Sequence, residues 1–271
     1  MGGAKREVVN SLPNDARHLA ASWLSPSPSS RYGRDVANKR HSIGLPVLSE
    51  PEIPRYAGDM VTDLRIVSRN RLAETITGGL SFPSKMPCPA WGISAARCRV
   101  GQALAQTPGT TCHSCYAMRG TYRFASVQAK LEERYRGLFH PLWTPAMVFL
   151  INYLCGRYFR LFDSGDLAGV NHLRNIITVA RHTPEVRIWL PTREYEVVRA
   201  CADEVPPNLT VRVSAHQVDA EPPSWWPTTS TVISAQDAGD GVCPARDQGN
   251  SCGECRACWD GSVANVAYRL H

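Results

Sequence analysis

No window of eighteen apolar residues occurs anywhere in the 271-residue chain, so the sequence predicts no membrane-spanning helix. The longest apolar stretch, residues 147–155, is too short for one and carries Asn152. The first residues, Met-Gly-Gly-Ala-Lys-Arg-Glu, lack the apolar core of an export signal. Gly2 would suit N-myristoylation, but Arg6 stands where that motif needs Ser or Thr. Neither sign of charge dominates: 30 Lys and Arg against 24 Asp and Glu leave +6. That excess permits phosphate or nucleic-acid contact without demanding it. A composition of 43% hydrophobic and 20% charged residues excludes a wholly disordered chain. The length fits one large domain or two small ones.

What the chain does have is cysteine, ten in all. With no export signal the expected compartment is a reducing cytoplasm. There, clustered cysteines are metal ligands more often than disulfides. The C-terminal set is Cys243, Cys252, Cys255 and Cys258, a Cys-x2-Cys-x2-Cys run with one remote partner. That is ferredoxin-like ligand spacing, and Gly249, Gly253 and Ala257 permit the tight turns it needs. A structural zinc site is the rival, although zinc favours two separated knuckles over one triplet. The upstream set is Cys98, Cys112 and Cys115, with Cys88 ten positions before Cys98 and between two prolines. Four ligands there would close a site; three would leave an open coordination position, which separates a catalytic metal from a structural one. The reading favours three and leaves Cys88 undecided. Cys155 and Cys201 read as core residues.

Four segments follow. Residues 1–60 read as a basic, poorly ordered or draped segment with a Pro/Ser linker at 25–30. Residues 61–123 form a cysteine-rich cluster-binding segment, within which 85–122 reads as a long functional loop. Residues 124–240 form a βα core, and 241–271 a second cysteine-rich segment. In the core, Phe124, Val127, Leu131 and Tyr135 recur at helical steps over 124–139. Thr144 and Pro145 predict an N-cap and first helical residue for a helix running to Cys155. Short apolar runs at 158–162, 186–190, 209–213 and 231–234 alternate with helical stretches at 170–180 and 194–202. That alternation predicts an α/β fold, a full or partial parallel (βα) barrel flanked by the two metal-binding segments.

Parallel folds build their sites just past strand ends. That rule selects Asp163, Ser164, Asp166, Thr192, Arg193, Glu194, Ser214 and His216. Asp163 and Asp166 suit proton transfer or binding of an amine or hydroxyls, or else a turn and helix cap. Arg193 and Glu194 read as a carboxylate clamp or a buried ion pair. His216 reads as catalytic or as a satisfied structural imidazole. Trp225 and Trp226 suit base stacking or a satellite apolar cluster, and Trp259 suits shielding of a cluster beside Cys258.

Six ordered motifs carry a resemblance: Ser84-Lys-Met-Pro, Cys112-His-Ser-Cys-Tyr-Ala-Met, Phe162-Asp-Ser-Gly-Asp, Trp189-Leu-Pro-Thr-Arg-Glu, Val211-Arg-Val-Ser-Ala-His and Gly249-Asn-Ser-Cys-Gly-Glu-Cys-Arg-Ala-Cys-Trp. Together they resemble the "gene product eighty-eight" family of actinobacterial phages over roughly residues 80–271. The resemblance implies a role in the cytoplasm of an infected host cell and brings no settled activity. A weaker, fold-level resemblance is to radical S-adenosylmethionine (SAM) enzymes. It implies a three-cysteine [4Fe–4S] cluster whose open iron binds SAM, with an auxiliary cluster near the C-terminus. Tyr116 and Ala117 then follow the last cluster cysteine, and Ser164, Gly165 and Asp166 stand where a glycine-glycine-glutamate motif would be. Ser214 joins Tyr116 and Ser164 as a cofactor contact. The spacing departs from that superfamily, whose common pattern is Cys-x3-Cys-x2-Cys. The expected function is thus a phage protein with two [4Fe–4S] clusters and redox chemistry at the upstream one. The alternative is a non-catalytic module, stapled by zinc or iron–sulfur, that binds nucleic acid or a host protein.

Overall fold

A computed structural model describes residues 52–234 and 241–270. Most of the basic N-terminal segment, with its Pro/Ser linker, lies outside the described residues. Six parallel strands form one sheet in chain order. They are β1 (Ala90–Trp91), β2 (Tyr158–Leu161), β3 (Arg187–Thr192), β4 (Leu209–Val218), β5 (Thr229–Ile233) and β6 (Asn265–Arg269). The sheet is open, with β1 and β6 at its edges. Among the described residues two helices precede it, α1 (Met60–Val67) and α2 (Asn70–Thr77). Between β1 and β2 come α3 (Arg99–Ala105), α4 (Ala125–Gly137) and α5 (Trp143–Leu154). α6 (Val170–Arg181) joins β2 to β3, and α7 (Tyr195–Arg199) joins β3 to β4.

Side chains alternate across the sheet with period two, and the two faces differ in kind. One face is apolar: Phe159 is paired with Ile188, Ile188 with Leu209 and Leu190 with Val211. All are buried, each such side chain stabilising by roughly 1.5–3 kcal/mol. The other face is polar. Arg160 is paired with Trp189 and Trp189 with Thr210; further along, Ser214 is paired with Ser230. Water does not cover it. The segment leading into β6 lies there: the Thr210 hydroxyl donates to the Trp259 carbonyl at 3.0 Å, and Arg212 donates to four carbonyls between Ala257 and Val263.

The helices follow their apolar stripes. α6 buries Leu173, Ile176, Ile177 and Ala180 at helical spacing. Its Asn175 receives the Tyr56 N–H and donates to the Pro54 carbonyl, tying down the strap before α1. The Asp59 carboxylate caps α1 by accepting the Val61 N–H at 3.2 Å.

Several elements depart from the sequence expectation. α5 begins at Trp143 with Leu142 as its cap, so Thr144 and Pro145 lie inside the first turn. A missing proline N–H is harmless there, because first-turn donors have no intrahelical acceptor. The run 209–213 extends to Val218, so Ser214 and His216 lie within β4 and not past its end. Pairing with β5 carries the strand through its polar residues, Ser214 against Ser230, with an irregularity before Val218. β1 and β6, which complete the sheet, fall in segments read from sequence as metal-binding loops.

Candidate metal centres and strand-end site

The upstream cysteines sit on a scaffold of short turns. Cys98 closes the helical turn Ala95–Arg97 and caps α3. Cys112 and Cys115 share a turn, the Cys115 N–H donating to the Cys112 carbonyl at 3.2 Å. A Cβ built on Gly101 would lie 3.6 Å from Cys98 Sγ and 3.7 Å from Cys112 Sγ. Glycine on α3 therefore leaves the space in which those sulfurs face each other. The same Cβ would meet Cys98 Cβ at 2.8 Å, so no larger residue fits without displacing the thiol.

This group is fastened to the carboxyl ends of three strands. The Val100 N–H donates to the Glu194 carboxylate at 2.9 Å, past β3. The Thr111 N–H donates to the His216 carbonyl at 2.9 Å, on β4. Tyr116 and Tyr122 hydroxyls both donate to the Asp163 carbonyl, past β2, at 2.7 and 3.1 Å. At that corner Phe162 holds φ at 54°, a left-handed conformation costly for an aromatic residue.

Asp166 is buried and accepts three hydrogen bonds: from the Leu167 N–H, the Thr192 hydroxyl and the Arg193 N–H. Burial nevertheless raises its pKa, against the pull of those donors and the Arg193 charge. Burial likewise raises Glu194. Burial also raises Cys98, with Asp166, Cys115, Cys112 and Glu194 adding to it, and Cys112, with Cys115 and Asp166 adding but Arg193 opposing. Cys98, Cys112, Cys115, Asp166, Arg193 and Glu194 thus share one electrostatic neighbourhood. Raised pKa values favour the protonated thiols of Cys98 and Cys112; a metal bound there would displace those protons.

Three polar atoms at these strand ends are buried without a partner: Asp163 Oδ1, Ser164 Oγ and Arg193 Nε. Arg193 and Glu194 do not pair, because Glu194 holds α3 and the Arg193 backbone holds Asp166. The His216 ring stacks on Tyr195 at 4.0 Å and hydrogen-bonds the Arg193 carbonyl through Nε2 at 3.1 Å, a structural role. Ser214 hydrogen-bonds Ser230 on the polar face of the sheet, away from the strand ends. Trp225 meets the Tyr195 ring edge-on, with centroids 5.5 Å apart, and lies beneath the Arg199 guanidinium.

The second group forms on the polar face. Cys88 and Cys258 are buried in one cluster with Met86, Trp189, Trp259 and Val266, and Cys243 and Cys252 pack against it. The Cys252 N–H donates to the Lys85 carbonyl at 2.9 Å, joining the Cys88 loop to the C-terminal segment. Cys255 follows Cys252 by a turn hydrogen bond of 3.0 Å. Cys258 Sγ lies 3.1 Å from the Tyr268 hydroxyl. Burial pushes Cys88 up to about 12 and Cys258 up to about 11. Cys88 therefore packs with the C-terminal group, leaving Cys98, Cys112 and Cys115 as the upstream set. Trp259 is buried in the same cluster as Cys258, its indole donating to the Phe159 carbonyl at 2.8 Å.

Sequence reasoning missed Gly101, Arg160 and Arg212. A glycine in a helix and an arginine in a strand look ordinary until the sulfurs beside them are placed. Among the described residues, no three His, Cys, Asp or Glu side chains converge as ligands of a single ion. No helix among them is long and apolar enough to cross a membrane.

No curated protein and no solved structure matches the chain at a significant level. The family model described as Gene product 88 matches residues 62–261, a span that holds both cysteine groups and all of the strand-end residues named above, and the chain belongs to that family.

Proposed function

We propose that the protein is an iron–sulfur protein with two [4Fe–4S] centres, one at each cysteine group, and that the upstream centre is the reactive one. One observation carries this reading. Three cysteines stand at the carboxyl ends of β2, β3 and β4, beside buried Asp166 and Glu194, and three buried polar atoms of the strand-end residues Asp163, Ser164 and Arg193 lack partners. Three cysteines leave one corner of a cubane open. A cluster of that kind supplies Lewis-acid binding and one-electron transfer at the open corner. A cubane takes one thiolate per corner, so its sulfurs spread wider than the ligands of one zinc ion, held at about 2.3 Å.

The chain's own residues then have definite tasks. Cys98, Cys112 and Cys115 hold the group. Gly101 keeps it close to α3. Arg193 Nε, Ser164 Oγ and Asp163 Oδ1 present one donor, one hydroxyl and one acceptor to a bound molecule. That set suits a ligand with both an anionic and an amine or hydroxyl group, such as SAM. Tyr116 fixes the Asp163 backbone so that its carboxylate keeps its aim. In this reading the singly wound order of the strands makes the sheet a partial barrel, and the protein works in the host cytoplasm.

The test is electron paramagnetic resonance on the full chain, purified without oxygen and reduced with dithionite, before and after adding SAM. The expected result is two overlapping signals, of which one shifts with SAM and disappears when Cys98, Cys112 and Cys115 are replaced by Ser. Two signals that both ignore SAM would remove the SAM-binding role. Signals unaffected by the triple substitution would remove the upstream centre.

A further inference from the structure

The polar face of the sheet holds an imbalance that the fold alone does not resolve. Arg160 and Arg212 are both carried there, and Arg212 is fully buried. Among the described residues neither forms an ion pair. Arg212 spends its donors on carbonyls: Cys258, Thr229, Val263, Ala257 and Asp260. Arg160 donates to Met86 Sδ at 3.2 Å and to the Phe162 carbonyl at 3.3 Å, and its guanidinium lies 4.3 Å from the Trp189 ring centre. No described carboxylate lies within ion-pair distance of either, although the Asp163 charge favours the cationic form of Arg160 against the cost of burial.

Two donors here also lack acceptors. Arg160 Nε and Trp189 Nε1 are buried and unpartnered. An orphaned buried N–H costs about 1–3 kcal/mol, and these two belong to side chains stacked on each other. Trp189 shares its apolar cluster with Cys88 and Cys258, and Cys243 and Cys252 pack against it. Met86, which accepts from Arg160, belongs to the same cluster. Positive charge, orphaned donors and gathered thiols thus meet in one place. The missing partner is an electron-rich acceptor that carries negative charge once thiolates bind it.

We infer that Arg160 Nε and Trp189 Nε1 donate hydrogen bonds to the sulfur atoms of an iron–sulfur cluster held by the C-terminal cysteines, with Cys88 in the wall of that site. The inference rests on the reading of the C-terminal group as an iron–sulfur centre. Hydrogen bonds to cluster sulfurs favour the more negative, reduced state and so raise the reduction potential. Arg160 and Trp189 are therefore tuning residues and hold no metal themselves.

The experiment is an anaerobic redox titration of the full chain, with dithionite giving up one electron to each cluster as it is oxidised to sulfite. Iron and sulfide are measured in parallel. Trp189→Phe keeps the ring and removes one donor; Arg160→Lys keeps the charge and removes the Nε donor. The expected result is unchanged iron and sulfide, with the midpoint of one centre moved to lower potential and the other unmoved. Each tenfold loss of preference for the reduced state corresponds to about 59 mV for one electron. If Arg160→Lys does not fold, Trp189→Phe decides alone. Unchanged midpoints with full iron content would overturn the inference and give these donors to water. No iron or sulfide in the unsubstituted protein would overturn the reading beneath it instead.

Discussion

Arg212 ties the segment that carries Cys258 to the sheet through hydrogen bonds to five carbonyls. Its guanidinium gathers carbonyls from both ends of the 257–263 segment and from β5. Removing it leaves several buried acceptors unpaired, each costing about 1–3 kcal/mol. Arg212→Met should lower the unfolding free energy by at least about 3 kcal/mol and expose residues 257–263 to limited proteolysis. Arg212→Lys should rescue little, since an ammonium lacks the planar fork that reaches both sides. A second residue-scale prediction concerns His172. Its ring sits among Trp91, Trp143 and Phe162, with Nδ1 accepting the Ala168 N–H. Burial pushes its pKa down from 6.5 to about 3. The unfolded chain therefore binds a proton that the folded chain refuses between those values. The stability this gives is present above pH 6.5 and is lost as pH falls toward 3. Urea unfolding should show a loss of about 2 kcal/mol between pH 7 and pH 5 from this group. His172→Phe should flatten that slope.

At the scale of elements, the loops after β1 and β2 interlock. The Ile93 N–H donates to the Ser164 carbonyl at 3.1 Å, and Gly165 holds φ at 81° against Ile93. A Cβ at Gly165 would meet the Ile93 carbonyl oxygen at 2.6 Å, which cannot yield without moving the strand end. Gly165→Ala should cost about 1–3 kcal/mol in thermal or chemical unfolding. Elements also show what was legible in the sequence. Runs such as 186–190 and 209–213 announced buried parallel strands, because both faces there needed apolar side chains or close packing. β1 has only Ala90 and Trp91 amid glycine and proline, too little for any period. β6 is five residues behind a cysteine loop with no strict alternation, and its register comes from β5 rather than from its own pattern. Ser214 and His216 read as a strand's end because polar residues usually close a parallel strand. Here they continue it, since the polar face is covered by a cysteine segment and not by helices.

At the scale of the whole molecule, the two cysteine groups occupy different parts of one sheet. The first stands at the carboxyl ends of β2 to β4, and the second lies on the polar face. Arg160 reaches toward both, with Nη2 3.5 Å from the Tyr116 hydroxyl and its guanidinium over Trp189. The spacing of the cysteines predicted two groups, and the strand-end rule placed Asp166, Arg193 and Glu194 beside the first. Spacing gave no means of assigning Cys88, because its loop joins the C-terminal segment only through tertiary contacts such as Cys252 to Lys85. The central claim is that both groups hold iron–sulfur clusters. It is tested most directly by measuring iron, acid-labile sulfide and zinc per chain in protein purified without oxygen. The account predicts about eight iron and eight sulfide per chain, falling to about four of each when Cys98, Cys112 and Cys115 are replaced by Ser. Stoichiometric zinc without sulfide would contradict it.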